Sequence, residues 1–228
     1  MPLRVLVFGD IHDYVEPLTI LFTDGLDYIK NIRFALITGD YGLKDDTVAT
    51  VAGYLRNHGI LGVSIYGNHE PEIIRANAKK KQVVDIKGIK LIPLGLTYKI
   101  GELTVLGISG NRGSGRKWSH WRDSQTLEIA NRYTDRRIDI ILSHEMPYGL
   151  ADRCRGTKNC GQVVLKTLID MLRPRIFIGG HLHTYPEYTK YRDTLVLKVG
   201  GISNRGPLST KSFFAIITIN DKTMVEAY

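Results

Sequence analysis

Asp10 and His12 stand one residue apart in "FGDIHDY", and His181 and His183 repeat that spacing in "GGHLHTY". Between the two doublets come Asp40 in "TGDYG", Asn68, His69 and Glu70 in "YGNHE", and His144 in "LSHEM". These side chains offer oxygen and imidazole nitrogen, the donors that bind zinc, iron, manganese and similar divalent ions. No thiol stands among them, which argues against a structural zinc knot. Asp10, His12, Asp40, Asn68, His144, His181 and His183 make seven candidate ligands, too many for one ion and suited to two ions that share a ligand. A carboxylate has two oxygens to share, so Asp10 or Asp40 would be the bridge. In an extended "HLH" the side chains alternate, so each histidine could serve a different ion.

The elements around these residues explain why they could meet. Short apolar, β-branched runs read as buried strands at 3–8, 34–37, 62–66, 103–108, 138–143, 175–179, 194–200 and 213–219. Helical spacing appears at Leu18, Leu21, Phe22, Leu26 and Ile29, at Val48, Val51, Ala52 and Leu55, and at Val164, Leu168, Met171 and Leu172 before Pro174. Alternating strands and helices point to an α/β fold with a largely parallel sheet. The stretch from about 194 is strand-rich, with Asp221-Lys222 at a turn, and should add antiparallel strands. Sites in α/β sheets form outside the carboxyl ends of the strands, and every candidate ligand sits just past one. A lone aspartate there is usually a turn former, and a lone buried histidine a core residue. Here five of the seven histidines fall at strand ends, with His58 and His120 the exceptions, and chance would scatter them.

The bulk numbers set the frame. The chain has 228 residues, enough for one sizeable core, and no linker, repeat or low-complexity segment interrupts it, so residues 1–228 read as a single domain. Its apolar runs are shorter than the roughly 20 residues of a membrane helix, and the N-terminal one is too short for a signal peptide. The expectation is a cytoplasmic protein with no membrane partner. A formal net charge of +8 favours anionic partners, nucleotides and nucleic acids among them. Cys154 and Cys160 match no common zinc spacing, and two free thiols are expected of a cytosolic chain.

The ordered blocks Asp10-Ile11-His12, Gly39-Asp40, Gly67-Asn68-His69-Glu70, His144 and Gly180-His181-Leu182-His183 resemble the motifs of the calcineurin-like metallophosphoesterase superfamily from residue 5 to about 185. The resemblance implies a compact single-domain member with a two-sheet αββα sandwich and a dinuclear metal site at the C-terminal ends of the strands. It implies that Asp10, His12, Asp40 and His183 hold one ion, and Asp40, Asn68, His144 and His181 the other, with Asp40 as the bridge. The ions would be manganese, iron, zinc or nickel. Asn68 and His69 would face the substrate, and His69 would be the catalytic acid. One block departs from the family. Members often carry Asp or Asn a few residues after G-D, where this chain has Tyr41, Gly42 and Leu43, and the support of that loop is left open.

The expected reaction is hydrolysis of phosphate esters, small phosphodiesters first. Two ions about 3.5–4 Å apart can share a hydroxide and orient a phosphoryl group for in-line attack. A phosphomonoesterase and a nuclease are alternative enzymes, and a metal-free interaction scaffold is the alternative outside enzymology. A scaffold is free to lose ligands, whereas this chain keeps every one. The segment 111–122, "NRGSGRKWSHWR", bears on substrate choice. Arg112 is expected to contact substrate phosphate. Trp118 and Trp121 are expected to begin a helix whose apolar side includes Leu127, the alternative being a basic lid that stacks on a base. "AKKKQ" at 78–82 reads as a solvated helix end.

Overall fold

The computed structural model describes residues 2–154, 156, 157, 159–202, 213–220 and 224–227. The first part of the chain runs β1 (Leu3–Phe8), α1 (Glu16–Thr23), α2 (Leu26–Ile29), β2 (Ile32–Ile37), α3 (Asp45–Asn57), β3 (Leu61–Ser64), α4 (Glu72–Arg75), β4 (Val84–Ile86) and β5 (Ile89–Leu91). Next come β6 (Thr97–Ile100), β7 (Leu103–Ile108), β8 (Asn111–Arg112), β9 (His120–Trp121), α5 (Asp123–Tyr133) and β10 (Ile140–Ser143). The last are α6 (Val163–Leu172), β11 (Ile176–Gly179), β12 (Glu187–Tyr191), β13 (Thr194–Lys198), β14 (Ala215–Ile219) and β15 (Met224–Ala227).

Two large sheets form, in the orders β15-β14-β1-β2-β3-β5-β4 and β12-β13-β11-β10-β7-β6, with β8 and β9 as a separate ribbon. The centre of each sheet is parallel: β1, β2, β3 and β5 in the first, β7, β10, β11 and β13 in the second. Antiparallel strands close the flanks, including β14 against β1 and β15 against β14, as the strand-rich C-terminal sequence suggested. The turn expected at Asp221-Lys222 lies outside the described residues.

Period-two alternation explains the layers. In β1, Val5 and Val7 meet Val105, Ile140, Leu142 and Ile176 of the second sheet. Leu6 and Phe8 point the other way, onto Leu18 and Phe22 of α1 and Val48 and Val51 of α3. The outer face of the second sheet, with Leu106, Ile141 and Phe177, is covered by Ile129 and Tyr133 of α5 and Leu165 and Leu168 of α6. With both faces covered, the central strands are largely apolar, and the result is the αββα sandwich.

Some elements differ from the sequence expectation. The helix expected through Ile29 breaks after Thr23, where the Gly25 N–H turns back to the Ile20 carbonyl at 3.0 Å. A Cβ at Gly25 would lie 2.9 Å from the Leu21 carbonyl oxygen, so glycine permits the break. Trp121 does not start a helix: it is fully buried in β9, and α5 begins two residues later. Leu127 is 38% exposed, and α5 turns Thr126, Ile129, Ala130 and Tyr133 inward instead. Lys79, Lys80 and Lys81 are exposed as expected, but on a turn beyond the end of α4.

Candidate metal centre

Each predicted ligand lies just past the C-terminal end of a parallel strand: Asp10 and His12 after β1, Asp40 after β2, Asn68 after β3, His144 after β10, and His181 and His183 after β11. Five of them have left-handed backbone: Asp10 (φ 50°), His12 (49°), Asp40 (56°), His181 (69°) and His183 (46°). That conformation costs a non-glycine residue on the order of 1–3 kcal/mol, and it recurs at functional sites. Here it turns the chain sharply, so donors from separate strands aim at one volume. Glycine supplies the clearance. A Cβ at Gly67 would lie 2.1 Å from Asp40 Oδ1 and 2.5 Å from His144 Cε1.

The donor atoms form two groups, Asp10-His12-Asp40-His183 and Asp40-His144-His181, each with its atoms within 4.8 Å of one another. Asp40 belongs to both: Oδ2 lies 3.6 Å from His12 Nε2 and Oδ1 3.5 Å from His144 Nε2. In the first group His12 Nε2 and His183 Nε2 are 2.9 Å apart, and His183 Nε2 is 3.3 Å from Asp10 Oδ1. In the second, His181 Nδ1 lies 3.1 Å from His144 Nε2, and Asn68 Oδ1 lies 3.2 Å from the same nitrogen. His144 Nδ1 is 2.8 Å from the Thr38 carbonyl. A carbonyl only accepts, so Nδ1 carries the proton and Nε2 turns its lone pair inward. His69 is exposed at the mouth, its ring 5.4 Å from that of His12.

The electrostatics favour a cationic occupant. Burial would raise the Asp10 pKa, but His183, His144 and His12 reverse this and hold it at about 2. Burial pushes His181 down to about 4, helped by His144, and lowers His12 as well. His183 is raised by the adjacent Asp10 carboxylate, 3.3 Å away; burial opposes charge on His144, yet Asp40 and Asp10 raise it. Asp10 Oδ1 and Asp40 Oδ2 are buried and accept no hydrogen bond among the described residues. A buried carboxylate oxygen left so is costly unless a cation meets it.

Two residues without an assigned sequence role hold the loops. Glu70 is buried; Oε1 accepts N–H bonds from Gly67 and Asp40, and Oε2 accepts one from Tyr41. Asp13 resolves the departure after Gly39-Asp40. Its carboxylate accepts the N–H groups of Leu43 (2.8 Å) and Lys44 (3.1 Å) and the hydroxyl of Thr47 (2.7 Å). The missing acid of one loop is thus supplied by its neighbour. Both residues were visible in the sequence, but nothing there brought 13 beside 43 or 70 beside 40.

Arg112 sits at the end of β8, where Nε and Nη2 donate to the two oxygens of Asp123 at 2.6 and 2.9 Å, leaving Nη1 outside the pair. Its backbone N–H bonds Glu145, whose pKa burial pushes up to about 7. Cys154 and Cys160 are not free thiols but a disulfide, with Cα atoms 6.1 Å apart. Cys154 and Thr157 exchange reciprocal backbone hydrogen bonds next to the bridge.

Residues 3–185 match the family model described as calcineurin-like phosphoesterase. A dimetal phosphatase from Danio rerio superposes with a TM-score of 0.66 at 12% identity, over 100% of this chain and 96% of its own. An archaeal phosphodiesterase gives 0.54 at 12%, over 99% and 100%. GAP50, the anchor in the inner membrane complex of Plasmodium, gives 0.65 at 12%, over 99% and 84%. At these identities the likeness is one of fold. No curated protein matches the sequence.

Proposed function

The chain belongs to the calcineurin-like phosphoesterase family, and on that premise we propose that it hydrolyses small phosphodiesters with two divalent ions. Asp10, His12, Asp40 and His183 would hold one ion, and Asp40, Asn68, His144 and His181 the other. The observation that carries the reading is Asp40, a single carboxylate that belongs to both donor groups. Asp10 Oδ1 and Asp40 Oδ2, which accept no hydrogen bond among the described residues, and the inward lone pair of His144 fit such ions. When bound, the ions supply Lewis acidity and a nucleophile at neutral pH.

The chain's own residues do the rest. Asn68 contributes a neutral oxygen, so the second position carries less negative charge and attracts the phosphoryl group more strongly. His69, exposed beside Asn68, delivers a proton to the departing alkoxide, a contribution typically worth about 10²–10⁴-fold. Arg112 offers Nη1 to a phosphate oxygen while Asp123 fixes the guanidinium. The same proposal keeps residues 1–228 as one domain acting in the cytoplasm. No described helix is long and apolar enough to cross a membrane.

The test is a panel of manganese, iron, zinc, nickel and magnesium against bis- and mono-nitrophenyl phosphate, with His69→Gln beside the wild type. Faster turnover of the bis-ester is expected. His69→Gln should slow alkyl esters far more than activated aryl esters. Equal slowing would sink the acid role, preference for the mono-ester would make the enzyme a phosphomonoesterase, and no turnover with any metal would overturn the proposal.

A further inference from the structure

An open cavity of about 790 Å³ lies between the turn after α4, the loop joining β8 to β9, and α5. Tyr66 links it by sequence to the metal-ligand cluster: Tyr66 lines the cavity, and Asn68 follows two residues on. The Gly110 N–H bonds the Tyr66 carbonyl at 2.6 Å, tying the segment before β8 to the same edge.

The wall is cationic. Lys79, Lys80, Lys81, Arg116, Lys117 and Arg132 line it, and no described acidic residue does. None of the six pairs with an acid among the described residues. They come from three separate stretches: the turn after α4, the loop between β8 and β9, and α5. Like charges gathered around one concavity repel, and such a cleft focuses its field on anions. Trp118 adds a second property. It is half-buried, lines the cavity, and rests on Tyr66 with ring centroids 5.6 Å apart. Cations that track a backbone, joined to an aromatic platform for a base, are what single-stranded nucleic acid requires.

We propose that this cavity holds the phosphates and a base of a single-stranded oligonucleotide whose scissile phosphate reaches the neighbouring metal-ligand cluster. For that last step the inference rests on the phosphoesterase reading; for binding it does not. A small diester would meet the metal-ligand cluster alone, whereas a strand, built of the same diester bonds, would fill the cavity as well.

The test uses the full chain and two exposed cations, Lys80→Glu combined with Arg116→Glu. Fluorescence anisotropy with a hydrolysis-resistant phosphorothioate octathymidylate reads binding without turnover. Affinity should fall at least tenfold in the double variant. The salt slope should flatten by about 1.4, two phosphate contacts at roughly 0.7 each. Equal affinity in wild type and variant overturns the proposal. So does wild-type binding of thymidine triphosphate as tight as the octamer, which would make the cavity a mononucleotide site. With turnover, the ratio of kcat/KM for octathymidylate to that for bis-nitrophenyl phosphate should fall at least tenfold, and an unchanged ratio counts against the inference. If no ester is cleaved with any metal while the binding difference persists, the phosphoesterase reading fails and the cavity stands.

Discussion

Glu70 Oε1 accepts the backbone N–H of Asp40 at 2.7 Å, so the shared carboxylate of the donor cluster is set by a buried side chain thirty positions away. The same oxygen takes the Gly67 N–H at 2.6 Å, and Oε2 takes that of Tyr41 at 3.1 Å. One side chain thereby fastens the loop after β2 to the loop after β3. Glu70→Gln keeps the shape but turns an amide donor toward at least one of these N–H groups. A hydrogen bond is lost and a buried N–H is left facing a donor, at a cost of about 2 kcal/mol. The urea midpoint should drop, and phosphoesterase activity with it. An unaltered midpoint would show that the clamp contributes nothing.

Asp13 plays the matching part on the other side of the Asp40 loop. Asp13→Ala removes the acceptor of three bonds, from Leu43, Lys44 and Thr47. The two N–H groups can recover water, so the loss should be about 1–3 kcal/mol rather than the sum of three bonds. In a chain of this size that lowers Tm by roughly 2–4 °C per kcal/mol. Calorimetry on the two proteins checks it; a shift under a degree would mean the loop supports itself.

Two glycines should respond in opposite directions to alanine. Gly67→Ala drives a Cβ to within 2.1 Å of Asp40 Oδ1 and 2.7 Å of His144 Nε2, and the atoms in its way are the donor atoms themselves. Metal binding and activity should be lost although no ligand is replaced. Gly53 lies inside α3 with nothing within 4 Å of its added Cβ. Gly53→Ala should raise stability by about 0.5–1 kcal/mol through the lower conformational freedom of the unfolded chain. Circular dichroism melts of both variants decide the pair. Retained metal in the first would contradict the tight approach of the two loops.

Lys198 gives a pH prediction away from the metal ligands. Its buried ammonium donates to the Arg153 carbonyl, Thr184 Oγ1 and Glu187. Burial nevertheless lowers its pKa below the ordinary 10.5, the bond to Glu187 opposing. The folded protein then holds this proton less tightly than the unfolded chain. Stability from this group is therefore reduced below the folded pKa and recovered as pH rises toward 10.5. Relative to Lys198→Met, the wild type should gain stability between about pH 8 and pH 10. Urea midpoints at those two pH values provide the comparison, and a constant difference would refute the depressed pKa.

The grouping of these donor side chains was legible in the sequence because donors at strand ends have a visible grammar: an apolar run, often a glycine, then Asp, Asn or His. The sequence carried the bounds of β1 and β7, most of whose residues are buried on both faces and hence apolar, Arg4 and Thr104 aside. It did not carry β12, where exposure alternates along Glu187–Tyr191 and no apolar run forms. Nor did it reveal the partners of Glu70 and Asp13, since both act on segments that only the sheet order makes adjacent. Trp121 shows how composition can mislead. Beside Trp118 it suggested a helix face, yet it fills the core from a two-residue strand, and α5 is amphipathic in a different phase. The Cys154–Cys160 bridge escaped a rule based on cellular compartment because the local turn, not the compartment, decides whether the two can meet.

The division of the donor atoms predicts metal stoichiometry. Asp40 belongs to both groups, His183 only to the one with Asp10 and His12, and His181 only to the one with His144. His181→Ala and His183→Ala should each retain one ion of two, whereas Asp40→Asn should retain neither at the same free-metal concentration. Elemental analysis after dialysis counts the ions. Thermal melts give an independent reading, because an ion at 100 times its Kd stabilises the folded state by about 2.7 kcal/mol. The wild type should therefore gain several degrees with manganese or zinc, each single-histidine variant less, and Asp40→Asn almost nothing. His12 Nε2 and His183 Nε2 lie 2.9 Å apart, and each must be free of its proton to meet an ion. Metal uptake should accordingly release protons and weaken as pH falls. Two ions retained in Asp40→Asn would mean that the bridge is made by another group, and the assignment of both positions would have to be redrawn.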